Sequence, residues 1–157
     1  MAYVGVVGPS GAAADELVDA EGLGRGLAER GHVVVCGGLG GVMSEVSRGA
    51  AGAGGTVVGL LPGLDRADAN PFVTVAIPTG LGELRNALLV RSSDVVVSVG
   101  GSWGTLSEIA LAVRTGVPVV AIGGWRTTTA DGRVPTEAPG PVATAAEALD
   151  RLDRLLG

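Results

Sequence analysis

The stretch Val95 to Ala112, VVVSVGGSWGTLSEIALA, decides the fold. It opens on a largely β-branched apolar run, the pattern of a strand buried on both faces. The run breaks at Gly100-Gly101. A helical segment then opens at Gly104-Thr105 and carries Glu108 about one turn in. Such a junction leaves free backbone N–H groups at the helix start, where the dipole favours negative charge. The motif therefore reads as an anion site. A carboxylate one turn away points to a site that also acts on the molecule bearing the anion.

Outward from this stretch the chain alternates strand and helix. Strands are predicted at Tyr3–Val7, His32–Cys36, Thr56–Leu61, Phe72–Ile77, Asp94–Val99 and Val117–Ile122. Helices are predicted at Ala13–Arg30, Val42–Ala53, Gly82–Ser92 and Gly104–Arg114, with caps at Gly31 and Gly116. Leu64–Pro71 reads as a loop, and the Gly-, Thr- and Pro-rich Gly123–Pro141 as a loop or lid. Thr144 opens a final helix with Glu147 at capping-box spacing and leucines 149, 152, 155 and 156 on one face. This alternation gives an α/β fold: a three-layer Rossmann-like sandwich on a mainly parallel sheet of six or seven strands. Its ligands bind beyond the carboxyl ends of the strands. Three glycine-rich turns stand there, after Val7, Cys36 and Val99.

The chain has 157 residues, the length of one domain spanning 1–157. Hydrophobic residues make up 46%, and mean hydropathy is +0.45, so some apolar surface is expected to be buried between subunits of a homo-oligomer. Net charge is -5, aromatics are 3% and no basic run occurs, which disfavours nucleic acid as a partner. The chain opens without a leader pattern, and no apolar run approaches a membrane span. A single cysteine, Cys36, forms no internal disulfide and fits a cytoplasmic location. All 11 basic residues are arginine. A pyridoxal Schiff base and a Walker P-loop both need a lysine, so both are excluded.

The candidate groups each carry two readings. Gly100-Gly101-Ser102-Trp103-Gly104-Thr105 is a phosphate cradle or a tight strand–helix turn. Gly37-Gly38-Leu39-Gly40-Gly41 lets a nucleotide lie on the backbone or lets a helix pack close to a strand. It is not G-x-G-x-x-G, and no acidic residue closes the next strand, so a dinucleotide is not expected. Glu108 is a site carboxylate or a partner of the helix dipole. Arg85 offers a fork for phosphate or serves the surface. His32 and Cys36 lack metal-ligand spacing and triad context, so no metal site is expected.

Taken together, Gly37-Gly38-Leu39-Gly40-Gly41-Val42-Met43, Arg85-Asn86 and Gly100 to Glu108 resemble the LOG (LONELY GUY) superfamily, whose members are often labelled lysine decarboxylase-like. With no lysine here, decarboxylation has no support. The resemblance runs from Val4 to about Ile122. It implies a nucleoside 5′-monophosphate phosphoribohydrolase that releases a base and ribose 5-phosphate, without a cofactor. It also implies Arg85 and Glu108 as the catalytic pair. The ligand- and phosphate-binding residues it implies are Gly8, Ser10, Gly37, Gly38, Gly40, Gly41, Met43, Gly100, Gly101, Ser102, Trp103, Gly104 and Thr105. Two positions depart from the enzyme pattern: Val99 replaces a proline, and Asn86 replaces a lysine. These features look like the branch of molybdenum-cofactor carrier-like proteins. That branch implies a non-catalytic carrier of a phosphorylated pterin.

Overall fold

The computed structural model describes residues 1–157. Six strands form one fully parallel sheet: β1 (Tyr3–Val7), β2 (Val33–Cys36), β3 (Val57–Leu61), β4 (Val75–Pro78), β5 (Val95–Val99) and β6 (Val119–Ile122). The spatial order is β4-β3-β2-β1-β5-β6. The chain winds outward from β1 to β4, then returns to the far side of β1 with β5, where Val4 pairs with Val95 and Val7 with Ser98. The loops after β1 and β5 thus diverge at a switch point, and a crevice opens between them. The architecture is the α/β sandwich expected from the alternation, with six strands.

Helices α1 (Ala14–Glu29), α2 (Val42–Gly52) and α5 (Ala145–Leu156) share one face of the sheet. There Leu23, Leu27, Val46 and Leu152 pack on Val4, Val34 and Val97. Helices α3 (Arg85–Arg91) and α4 (Trp103–Thr115) occupy the other, around Leu89, Val90, Val96 and Ala112. α1 and α2 touch backbone to backbone. A Cβ at Gly24 would overlap the Val46 carbonyl oxygen, and one at Gly49 would overlap that of Glu21. Arg48 reaches across this seam to Glu21 at 2.8 Å.

Caps follow the sequence closely. Gly31 (φ 71°) and Gly116 (φ 78°) are left-handed at the ends of α1 and α4. Thr144 Oγ1 accepts the Glu147 N–H at 3.3 Å, while Glu147 Oε2 accepts that of Ala143, one residue outside the expected box. Leu149 and Leu152 are buried, but Leu155 is half exposed and leaves the predicted apolar face.

Three boundaries move by more than one residue. The expected strand at Phe72–Ile77 begins at Val75, because Asn70 holds the chain in a turn. Its N–H donates to Gly38 O at 2.8 Å and its Oδ1 accepts from Phe72 N at 3.1 Å. The expected helix Gly82–Ser92 divides into a 3-10 turn (Gly82–Leu84) and α3, and the left-handed Gly82 (φ 57°) stays outside the α-helix. β6 starts two residues late because the Val117 N–H turns back to Ala112 O at 2.9 Å.

Candidate functional site

At the switch point lies a cleft of about 290 Å³. The turn after β1 contributes Gly8, Pro9 and Ser10, and the turn after β2 contributes Gly37. α2 adds Met43, α3 adds Arg85, Asn86 and Leu89, and α4 with its cap adds Ser102, Gly104, Thr105 and Glu108.

The α4 end leaves backbone donors free at the mouth of the cleft. Ser102 is extended (φ -138°), and its Oγ accepts the Thr105 N–H at 3.2 Å. The same oxygen lies 2.9 Å from Thr105 Oγ1. The first-turn N–H groups of Trp103 and Gly104 have no partner within the helix. Gly100 (φ 66°) sets the turn, with its N–H on Ile122 O at 3.0 Å. Trp125 braces the turn from behind: its indole N–H donates to Ser102 O at 2.9 Å.

Glu108 stands one turn further along α4. Only 7% of it is exposed, and it takes part in no hydrogen bond or ion pair. Burial pushes its carboxyl up to about 7, against the opposing pull of the Arg85 charge. Arg85 faces it across the cleft, 9% exposed, its Nε without a partner. Burial lowers its affinity for the proton, partly offset by Glu108. Its guanidinium lies on Gly37, where a Cβ would come 2.5 Å from Nη1 and 2.6 Å from Nη2. Glycine there is what lets the arginine enter. Two opposite charges, both buried and neither satisfied, are costly in a resting fold. Such groups cluster at sites that receive a ligand.

The structure thus brings together Gly8, Ser10, Gly37, Met43, Arg85, Ser102, Gly104, Thr105 and Glu108. Gly38, Gly40, Gly41, Gly100, Gly101 and Trp103 lie outside the lining. Gly38 packs on Leu61, Gly41 on the carbonyls of Pro9 and Ser10, and Gly101 on Trp125. Trp103 points outward, 77% exposed, with its ring 5.0 Å from that of Trp125. Pro62, Gly82 and Glu83 also line the cleft, and sequence reasoning did not single them out. The signal for Pro62 was present, since it opens the turn at the carboxyl end of β3. His32 and Cys36 stand apart from the cleft lining. His32 Nδ1 accepts the Ala2 N–H at 3.1 Å, and Cys36 packs fully buried with Sγ 3.6 Å from Ser47 Oγ. No three His, Cys, Asp or Glu side chains converge anywhere. No helix is long and apolar enough to cross a membrane.

Known proteins resemble this chain in sequence and in fold. A protein of Archaeoglobus fulgidus is 41% identical over 119 residues, 76% of this chain and 78% of that one. A probable cytokinin riboside 5′-monophosphate phosphoribohydrolase of Oryza sativa subsp. japonica is 38% identical over 90 residues, 55% of this chain and 37% of that one. The solved molybdenum cofactor binding protein of the phototrophic bacterium Rippkaea orientalis superposes with a TM-score of 0.89 at 30% identity, covering 99% of this chain and 98% of that one. The pattern of the SLOG cluster4 family matches residues 1–148, and the chain belongs to that family.

Proposed function

We propose that the cleft binds a nucleoside 5′-monophosphate and hydrolyses its N-glycosidic bond. One observation carries this reading: Arg85 and Glu108 are buried, unpaired and opposed in the cleft that α4 opens with its N-terminus. The phosphate takes the N–H groups at Trp103 and Gly104, with Ser102 and Thr105 beside them. The sugar then lies over the second turn, against Glu108. As the bond from C1′ to the base nitrogen breaks, positive charge grows on the ribose, and the Glu108 carboxylate stabilises it. Water adds at C1′, and its proton leaves for the base nitrogen. The products are the free base and ribose 5-phosphate. Arg85 holds the substrate and keeps part of the Glu108 population ionised near neutral pH.

The test is release of ribose 5-phosphate from AMP, IMP, GMP, CMP and N6-isopentenyl-AMP, with Glu108→Gln as control. The expected result is release by the wild type, with loss of about 100-fold or more in the variant while nucleotide still binds. Absence of release from every nucleotide overturns hydrolysis.

A second reading is favoured by the match along nearly the whole chain to the molybdenum cofactor binding protein, and by Val99 and Asn86. In it the cleft carries a phosphorylated pterin without turnover, and saturable binding of that pterin with no product supports it. In either case we place the protein in the cytoplasm, as a homo-oligomer.

A further inference from the structure

Beside the cleft opens a larger hollow of about 540 Å³. Glu83, Asn86, Gly104 and Glu108 line both spaces, so Glu108 stands where they meet. The cleft alone is at the lower edge of the roughly 300–1,000 Å³ of small-molecule sites. It suits a phosphate and a sugar, and a ligand with a further planar moiety needs the neighbouring space. Trp103 supplies the aromatic wall of that space. At 77% exposed it gains little from packing in the chain itself. Yet it is held in place: the Trp125 ring lies 5.0 Å away at 43°, and Trp125 is itself tied to Ser102 O. An exposed indole braced in this way is a preorganised stacking face.

We propose that this hollow is the subsite for the heterocycle of the ligand, stacked on Trp103, with Glu83 and Asn86 at its polar rim. The inference rests on the reading of the cleft as a phosphate and sugar site. It explains the place of Glu108, at the junction of the two spaces, beside the bond that joins sugar to heterocycle. Trp103 then acts in specificity, by rewarding a planar ring and leaving the phosphate end untouched.

Calorimetric titration with AMP and with ribose 5-phosphate tests this, in a Glu108→Gln background that removes turnover. Trp103→Ala is expected to weaken AMP by about tenfold, the worth of one stacked base. Ribose 5-phosphate should hold within about twofold, and Trp103→Phe should recover most of the AMP affinity. Equal loss of both ligands overturns the proposal, because Trp103 would then be shaping the phosphate loop. Unchanged AMP affinity overturns it too, by placing the heterocycle elsewhere. Dissociation of an oligomer in Trp103→Ala would give the hollow to a second copy of the chain, which likewise overturns the subsite. If neither ligand binds even with Trp103 intact, the reading of the cleft itself fails and this subsite falls with it.

Discussion

Glu108 is the residue whose burial has the clearest consequence for the whole fold. Its proton leaves at about 7 in the folded protein and near the ordinary 4.5 in the unfolded chain. Between those values the folded state holds a proton that the unfolded state has lost. Stability therefore falls as pH rises from about 4.5 to about 7, and is level above. The shift corresponds to about 3 kcal/mol. Glu108→Gln removes this slope, so urea unfolding of variant and wild type should diverge by up to that amount, in favour of the variant, between about pH 4.5 and about pH 7. A constant difference across that range would mean that Glu108 titrates normally. The type of Glu108 and its place after the glycines were legible in the sequence. Its isolation from every partner was not, because that depends on α3 standing back on the far side of the cleft.

Among the elements, the α1–α2 contact is the most constrained. Gly24 and Gly49 place each helix against a carbonyl of the other, with no room for a methyl group. Gly49→Ala gains about 1 kcal/mol of intrinsic helix preference. It should nevertheless destabilise by about 1–3 kcal/mol, because the helices must part. Thermal melting reads the sign directly, and a raised midpoint would contradict the packing. Local chemistry made most element boundaries readable, since the glycine caps and the Thr144 cap act within one turn of chain. Of the boundaries that moved, the start of β4 depends on a contact at a distance. Asn70 reaches Gly38 and Leu39 across the β2 turn, and that bond delays β4.

Across the molecule, the parallel sheet lacks a complete cover. Such sheets are normally buried on both faces. Here α3 has only seven residues, and Tyr3, Val35, Val58, Leu60, Ile77 and Ser92 line an open hollow on its side. Leu88 continues the exposed apolar surface. The proposed homo-oligomer is tested at this surface. Sedimentation should show an assembled wild type and a smaller species for Ile77→Asp, with an unchanged circular dichroism spectrum. A monomeric wild type would count against it.

The order of strands and helices, the parallel sheet and the three glycine turns at one end were all encoded locally. A period of apolar residues and a handful of capping residues suffice to set them. The chain also displayed Arg85, Glu108 and the α4 N-terminus, since each belongs to a short pattern. Tertiary structure alone decided which glycines face the cleft and which serve packing. Gly37 admits a guanidinium, while Gly38 and Gly101 meet Leu61 and Trp125, side chains brought from distant parts of the chain. It likewise decided the pairing of Trp103 with Trp125, 22 positions apart. What a glycine or an exposed indole does depends on what stands opposite it, and the winding of the sheet settles that.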